Sequence, residues 1–79
     1  MKVKGKGVIA WIQTKLIDGV PAGYVVIDRE YNDTIIDRAR YIVAFYKVGD
    51  NCWYWGYYTD SRDAAIKNLL ERANLVTSE

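Results

Sequence analysis

The stretch WYWGYYTDSRDAAIKNLLERA, residues 53–73, joins an aromatic run to a helical pattern. Successive side chains of a strand point to opposite faces. The run therefore predicts a strand with Trp53, Trp55 and Tyr57 on one face and Tyr54 and Tyr58 on the other. One short helix can cover only one face of a sheet, so the other aromatic face is either open to a partner or covered by another part of the chain.

A helix is expected directly after the aromatic run. Asp60 or Ser61 is the expected N-cap, and Asp63 suits the positive end of the helix dipole. Apolar residues then recur at helical spacing, at Ala65, Ile66, Leu69, Leu70 and Ala73. Asn74 is the expected end of the helix, because Asn accepts the left-handed conformation. The pattern predicts an amphipathic C-terminal helix.

The residues before this stretch predict three further strands, at 7–17, 24–29 and from 38 or 39 to 48, with the aromatic strand at 52–58. Composition predicts turns at residues 18–23 and 49–51. For residues 30–37 it allows two alternatives, a turn or one turn of helix. Short connections make neighbouring strands pair antiparallel. The predicted fold is α+β: an antiparallel meander of about four strands, with the helix packed on one face and no element of the chain over the other.

Length and composition predict a single domain spanning residues 1–79, because the chain is 51% hydrophobic with a net charge of +1. Residues 1–6, with three alternating lysines, predict a flexible basic arm or a first strand, and 77–79 should fray. We expect Pro21 and the lysines to blunt the edge strands. The chain has no membrane-length apolar run and no signal-peptide pattern, which predicts a cytoplasmic protein without membrane contact.

The residue inventory argues against an enzyme. The chain has no histidine and one cysteine, Cys52. A thiol nucleophile would lack its usual base, and the tetrahedral ligand set of zinc cannot be built. The glycines at 5 and 7 lack the length and flanks of a phosphate-binding loop. We therefore predict no catalytic residues, no metal and no cofactor.

The aromatic strand is the best candidate for a partner-binding surface, because Trp, Tyr and Arg dominate binding hot spots. We predict Trp53, Trp55 and Tyr57 as anchors, helped by Trp11 and Arg40. The alternative that these rings are core residues stays open, because large aromatic residues fill the interior of many small domains.

The run WGYYTDSRDAA, residues 55–65, resembles the final strand and helix start of the plant AP2/ERF and phage-integrase arm-binding domains. The resemblance implies a sheet followed by one helix that together bind DNA. Those families keep a basic sheet face, whereas the middle of this chain is acidic at Asp28, Glu30, Asp33 and Asp37. A net charge of +1 permits few phosphate contacts, so no DNA-reading residue is carried over.

The function expected from the sequence is that of a small non-enzymatic protein-binding domain. By analogy of size and composition, its most specific form is a phage or mobile-element inhibitor of the anti-CRISPR or other anti-defence kind. Such a protein would cover a surface of a host protein or protein complex. A sheet-based nucleic-acid-binding domain is the less favoured alternative, and a structural homodimer is the third.

Overall fold

The structure, a computed structural model, describes residues 2–3, 6–29 and 39–77. Its strands form one antiparallel sheet in the order β1-β2-β3-β4-β5, followed by a helix. The elements are β1 Lys2–Val3, β2 Lys6–Ile17, β3 Val20–Asp28, β4 Tyr41–Lys47, β5 Tyr54–Thr59 and α1 Arg62–Thr77. The predicted α+β meander with one C-terminal helix is confirmed, and the two-residue β1 adds to the four expected strands.

The predictions for the two chain ends and for the middle segment compare differently with the structure. β1 pairs with the start of β2, which agrees with the first-strand alternative for the N-terminus. Helix α1 runs past Asn74 to Thr77, so the expected helix end is wrong and the first residue of the expected frayed tail is helical. Residues 78–79 and the open segment 30–37 lie outside the described residues.

The first hairpin turn is shorter than predicted, because β3 begins at Val20. The turn consists of Asp18, with φ 52°, and Gly19, with φ 80°. Positive φ at both central residues is what a type I′ turn requires, and such a turn matches the twist of the flanking strands. Pro21 therefore lies within β3, between β2 and β4, and does not blunt an edge of the sheet.

Helix α1 packs on one face of the sheet through what we call the helix-side cluster, which consists of Val26, Val43, Ala65 and Leu69. None of its side chains is more than 2% exposed. Ser61 is the N-cap, since its Oγ accepts a hydrogen bond from the Ala64 amide at 3.1 Å. Leu70 was expected on the apolar stripe but is 55% exposed. The buried stripe of α1 is therefore narrower than predicted and consists of Ala65, Leu69 and Ala73.

The face opposite α1 is buried as well. We call its core the distal cluster, which consists of Val25, Ile27, Ile42, Ala44 and Tyr46, each 0–4% exposed. Among the described residues, Val8, Trp11 and Trp53 pack against it. The expectation of an uncovered face opposite the helix is therefore wrong. The unbroken apolar runs at 25–27 and 42–46 are typical of strands that are buried on both faces.

Two irregularities in β2 decide where Trp11 points. The register of β2 against β3 shifts between Val8 and Ala10 and again between Gln13 and Lys15. Regular alternation would place Ile9 and Trp11 on one face, yet Ile9 packs toward the helix-side cluster and Trp11 toward the distal cluster. A bulge changes the face that each following side chain takes.

Candidate functional site

Exposed aromatic side chains concentrate on β5. Tyr54, Trp55, Tyr57 and Tyr58 are exposed by 44%, 73%, 38% and 38%. We call these residues the β5 surface. β5 is the last strand in the sheet order, and it pairs with β4 along one of its two edges. Within the described part of the chain, the surface therefore combines a large aromatic area with an edge of the sheet, the part of a sheet where a further strand can add.

Trp55 has an unusual backbone conformation. Its φ is 56°, in a region that disfavours a bulky residue by about 1–2 kcal/mol. The conformation belongs to an irregularity in the register of β5 with β4, between Val43 and Phe45. Arg72 of α1 holds it, because its Nη1 donates to the Trp55 carbonyl at 2.7 Å and reaches the Val43 carbonyl at 3.4 Å. A strained residue held in this way is a frequent feature of functional sites.

A series of ring contacts fixes the Trp55 side chain. Its centroid lies 5.6 Å from that of Phe45, and 6.2 Å from that of Tyr54. Phe45 in turn packs edge-on against Tyr24 at 5.5 Å. The Lys15 ammonium lies 5.4 Å from the Phe45 centroid, within the range of a cation–π contact. These contacts hold an exposed indole in place, so little side-chain entropy remains to be lost on binding.

A shallow groove of about 300 Å³ lies between β5 and α1, lined by Tyr57, Ala64, Lys67, Asn68 and Glu71. Tyr57 pairs across the sheet with a residue of the helix-side cluster, which turns its ring toward α1. The Oδ1 atom of Asn68 is buried and accepts no hydrogen bond from the described residues. The groove thus offers an aromatic wall, a cation and an anion.

The start of β5 carries a neutral phenol beside a thiol. Cys52 is exposed. A hydrogen bond with Cys52 raises the pKa of Tyr54 above its ordinary value, and the electrostatic interactions of Tyr54 with Cys52 and Asp50 raise it further. The Tyr54 hydroxyl is therefore protonated at neutral pH. Because residues 51–59 include no charged residue type, the β5 surface is apolar with uncharged hydroxyl groups.

The structure separates the aromatic residues that were predicted to bind a partner. Tyr57 lines the groove beside α1. Trp55 lies on the same side, because its ring contacts Phe45, and Phe45 packs against Tyr24 on the helix-side cluster. Trp11 and Trp53 are half-buried and pack against the distal cluster on the other side. Trp53 and Trp55 do not share a face as predicted, because the left-handed conformation at Trp55 interrupts the alternation.

Arg40 makes several contacts within the chain. Its Nε and Nη2 donate to the two carboxylate oxygens of Asp28 at 2.8 and 3.0 Å. Its guanidinium lies 5.3 Å from the ring centroid of Tyr41, and its backbone amide donates to Asp60 at 3.1 Å. These contacts join the end of β3, the start of β4 and the segment before α1. Arg40 therefore has a structural role, whatever its part in binding.

Sequence reasoning did not include Tyr54 and Tyr58 in the site, nor the groove residues Lys67, Asn68 and Glu71. A usable signal was the position of β5 as the last strand of a meander, since such a strand lies at an edge and is partly exposed on both faces. The groove had no such signal, because it depends on how α1 lies across β5.

The described residues contain no group of three or more His, Cys, Asp or Glu that could hold a metal ion. In the same part of the chain, no helix is long and apolar enough to cross a membrane. Comparisons with protein-family models, curated proteins and solved structures find no match. The candidate site therefore rests on its geometry, an aromatic edge strand with one exposed tryptophan whose ring contacts Phe45 and Tyr54.

Proposed function

We propose that this chain is a non-enzymatic protein-binding domain that contacts its partner through the β5 surface. The observation that carries the proposal is Trp55, which is 73% exposed and yet held in a strained conformation by Arg72. A residue that only had to avoid water would not be presented in this way. An exposed ring with restricted motion is the usual anchor of a protein interface.

The charge around the site favours a protein as the partner. The net charge of +1 gives little long-range attraction to a nucleic acid. Contact through Trp and Tyr side chains is instead typical of the desolvated centre of a protein interface, where charged residues are scarce. Trp55 and Tyr57 are the anchors of the proposed contact, while Tyr54, whose ring contacts Trp55, extends its apolar area.

The most specific form of this proposal is that the chain is a phage or mobile-element inhibitor of the anti-CRISPR or other anti-defence kind. Its partner would then be a host protein or protein complex in the cytoplasm. Small size and the aromatic surface support this form. An inhibitor of this type acts by covering a surface, so it needs an interface and no catalytic residues.

The test is affinity capture from bacterial cytoplasmic extract by the tagged full chain, with and without nuclease. The variant is Trp55→Gly, since glycine accepts a φ of 56° and the substitution removes only the side chain. The matched control is Leu16→Ala, which shortens another exposed apolar residue, 61% exposed, on β2. We expect to capture a discrete protein that is retained after nuclease treatment. The amount captured should be the same with the control variant and about tenfold or more lower with Trp55→Gly.

Equal capture by Trp55→Gly and the wild-type chain would contradict the proposed site. Loss of every captured protein after nuclease would favour the second candidate, a nucleic-acid-binding domain. One observation supports that candidate: Lys15 and Lys67 flank a surface of exposed rings, and single-strand binders combine cations with rings on which bases stack. Titration with a single-stranded oligonucleotide tests it directly, because it should quench tryptophan fluorescence in the wild-type chain and much less in Trp55→Gly.

A further inference from the structure

The two edges of the described sheet differ in a way that bears on self-association. β1, at one edge, has two residues and includes a lysine. β5, at the other edge, has six residues and lies in the uncharged segment 51–59. Proteins usually protect edge strands by shortening them or by adding lysine or proline. The β1 edge shows this protection, whereas β5 has no proline and no charge.

We propose that two copies of this chain join edge to edge, with β5 of one copy antiparallel to β5 of the other about a two-fold axis at Tyr57. Pairing at the edge uses backbone groups, so the faces of the sheet, with Trp55 on the α1 side, stay available. The inference is thus compatible with the proposed function but does not depend on it.

The register follows from the geometry of β5. Residues 57–59 pair regularly with β4, whereas the strand is irregular near Trp55. A two-fold axis perpendicular to a sheet sets residues of the same face opposite each other, and an axis at Tyr57 places Tyr58 opposite Gly56 of the second copy. Gly56 has no side chain, and the Tyr58 ring of its own strand lies over it, 2.9 Å from where a Cβ would be. The backbone of Gly56 can therefore approach the second copy without a clash from a side chain of its own.

Charge complementarity supports a second copy as the occupant. Lys67 and Glu71 lie one helical turn apart in the groove above Tyr57. A two-fold axis at this level reverses their order, so that Lys67 faces Glu71 of the second copy and Glu71 faces its Lys67. Among the described residues, neither side chain forms an ion pair. Self-pairing therefore brings together opposite charges across the helices and only uncharged residues along the strands.

The test measures molecular mass by sedimentation velocity over a concentration series. We expect the mass to rise from 9.1 kDa toward twice that value with concentration. Because of the two-fold symmetry, Lys67→Glu places two pairs of glutamates opposite each other, and Glu71→Lys places two pairs of lysines opposite each other. We expect each variant to raise the dimer dissociation constant about tenfold. An equimolar mixture of these two variants, and the double variant carrying both changes, should restore wild-type association. Lys47→Glu on β4 is the matched control and should have no such effect.

Hydrogen exchange then locates the contact, because residues 56–59 should gain protection as the concentration rises, while β1 should not. A chain that stays at 9.1 kDa throughout the series would overturn the inference. The inference would also be overturned if the charge reversals left the dimer dissociation constant unchanged, or if the mixture of the two variants did not restore association. Protection of a different segment on dimerisation would overturn it as well. Capture that depends on Trp55 does not require the dimer, so failure of this inference and failure of the proposed function are distinguishable.

Discussion

At the scale of single residues, two arginines fix the surroundings of the β5 surface. Arg72 directs one nitrogen at the carbonyls of Trp55 and Val43, which holds the strained part of β5 against α1. Arg40 binds both carboxylate oxygens of Asp28. A guanidinium has several donors in one plane and can hold two acceptors in fixed positions, which a lysine ammonium cannot do.

The first prediction concerns the ion pair of Arg40. Its side chain is 35% exposed and that of Asp28 is 14% exposed, so the pair lies between a surface and a buried salt bridge. We expect Arg40→Ala to lower the free energy of unfolding by about 1–2 kcal/mol, measured by urea denaturation. Arg40→Lys keeps the charge without the two-pronged geometry and should recover only part of the loss. Full stability of Arg40→Ala would show that the pair contributes nothing to the fold.

At the scale of elements, the close approach of β2 to β3 depends on Gly23. A Cβ at this position would overlap the carbonyl oxygen of Ile12 and lie 2.8 Å from the Cα of Gln13. Both obstacles are backbone atoms in a paired strand, so they cannot move without breaking the pairing. By contrast, a Cβ at Gly7, which lies in β2, would meet no atom within 4 Å.

This contrast gives the second prediction. We expect Gly23→Ala to lower the free energy of unfolding by about 3 kcal/mol or more, because overpacking at a backbone contact separates the strands. Gly7→Ala should change it by less than about 1 kcal/mol, since alanine fits the space there. Urea denaturation of both variants measures the difference. Equal effects would mean that the hairpin adapts to a methyl group at Gly23.

The elements also show how far the sequence predicts this structure. The helix start at Ser61 and the turn at Asp18 and Gly19 depend on local chemistry, and both were recognisable, although the turn is shorter than expected. The irregularities in β2 and β5 depend on the partner strand, so no sequence pattern marks them. They decide which faces Trp11 and Trp55 take. The strand order was therefore predictable, whereas the division of the aromatic residues between two surfaces was not.

At the scale of the whole molecule, β3 and β4 serve two cores at once. The helix-side cluster and the distal cluster both draw on these strands, because their alternate residues are buried on opposite faces. Aromatic residues that pack on the distal cluster therefore contribute to stability, while those on β5 remain exposed. The number of aromatic residues alone does not distinguish the two roles; their positions in the sheet do.

The third prediction separates these roles with single variants. Trp53→Ala removes a half-buried indole from the distal cluster, and we expect it to lower the free energy of unfolding by about 2–3 kcal/mol. Trp55→Gly removes a ring that is 73% exposed and relieves the positive φ, so we expect a change of less than about 1 kcal/mol. A double variant of both residues would lose stability and binding together, which leaves their roles mixed.

Urea denaturation measures both single variants, and quenching by iodide gives an independent check. Iodide reaches only exposed indoles, so Trp55→Gly should remove most of the quenching, while Trp53→Ala should leave most of it. The reverse order in both measurements would make Trp53 the exposed anchor and Trp55 a core residue. That outcome would move the contact surface from β5 and α1 to the opposite face of the sheet.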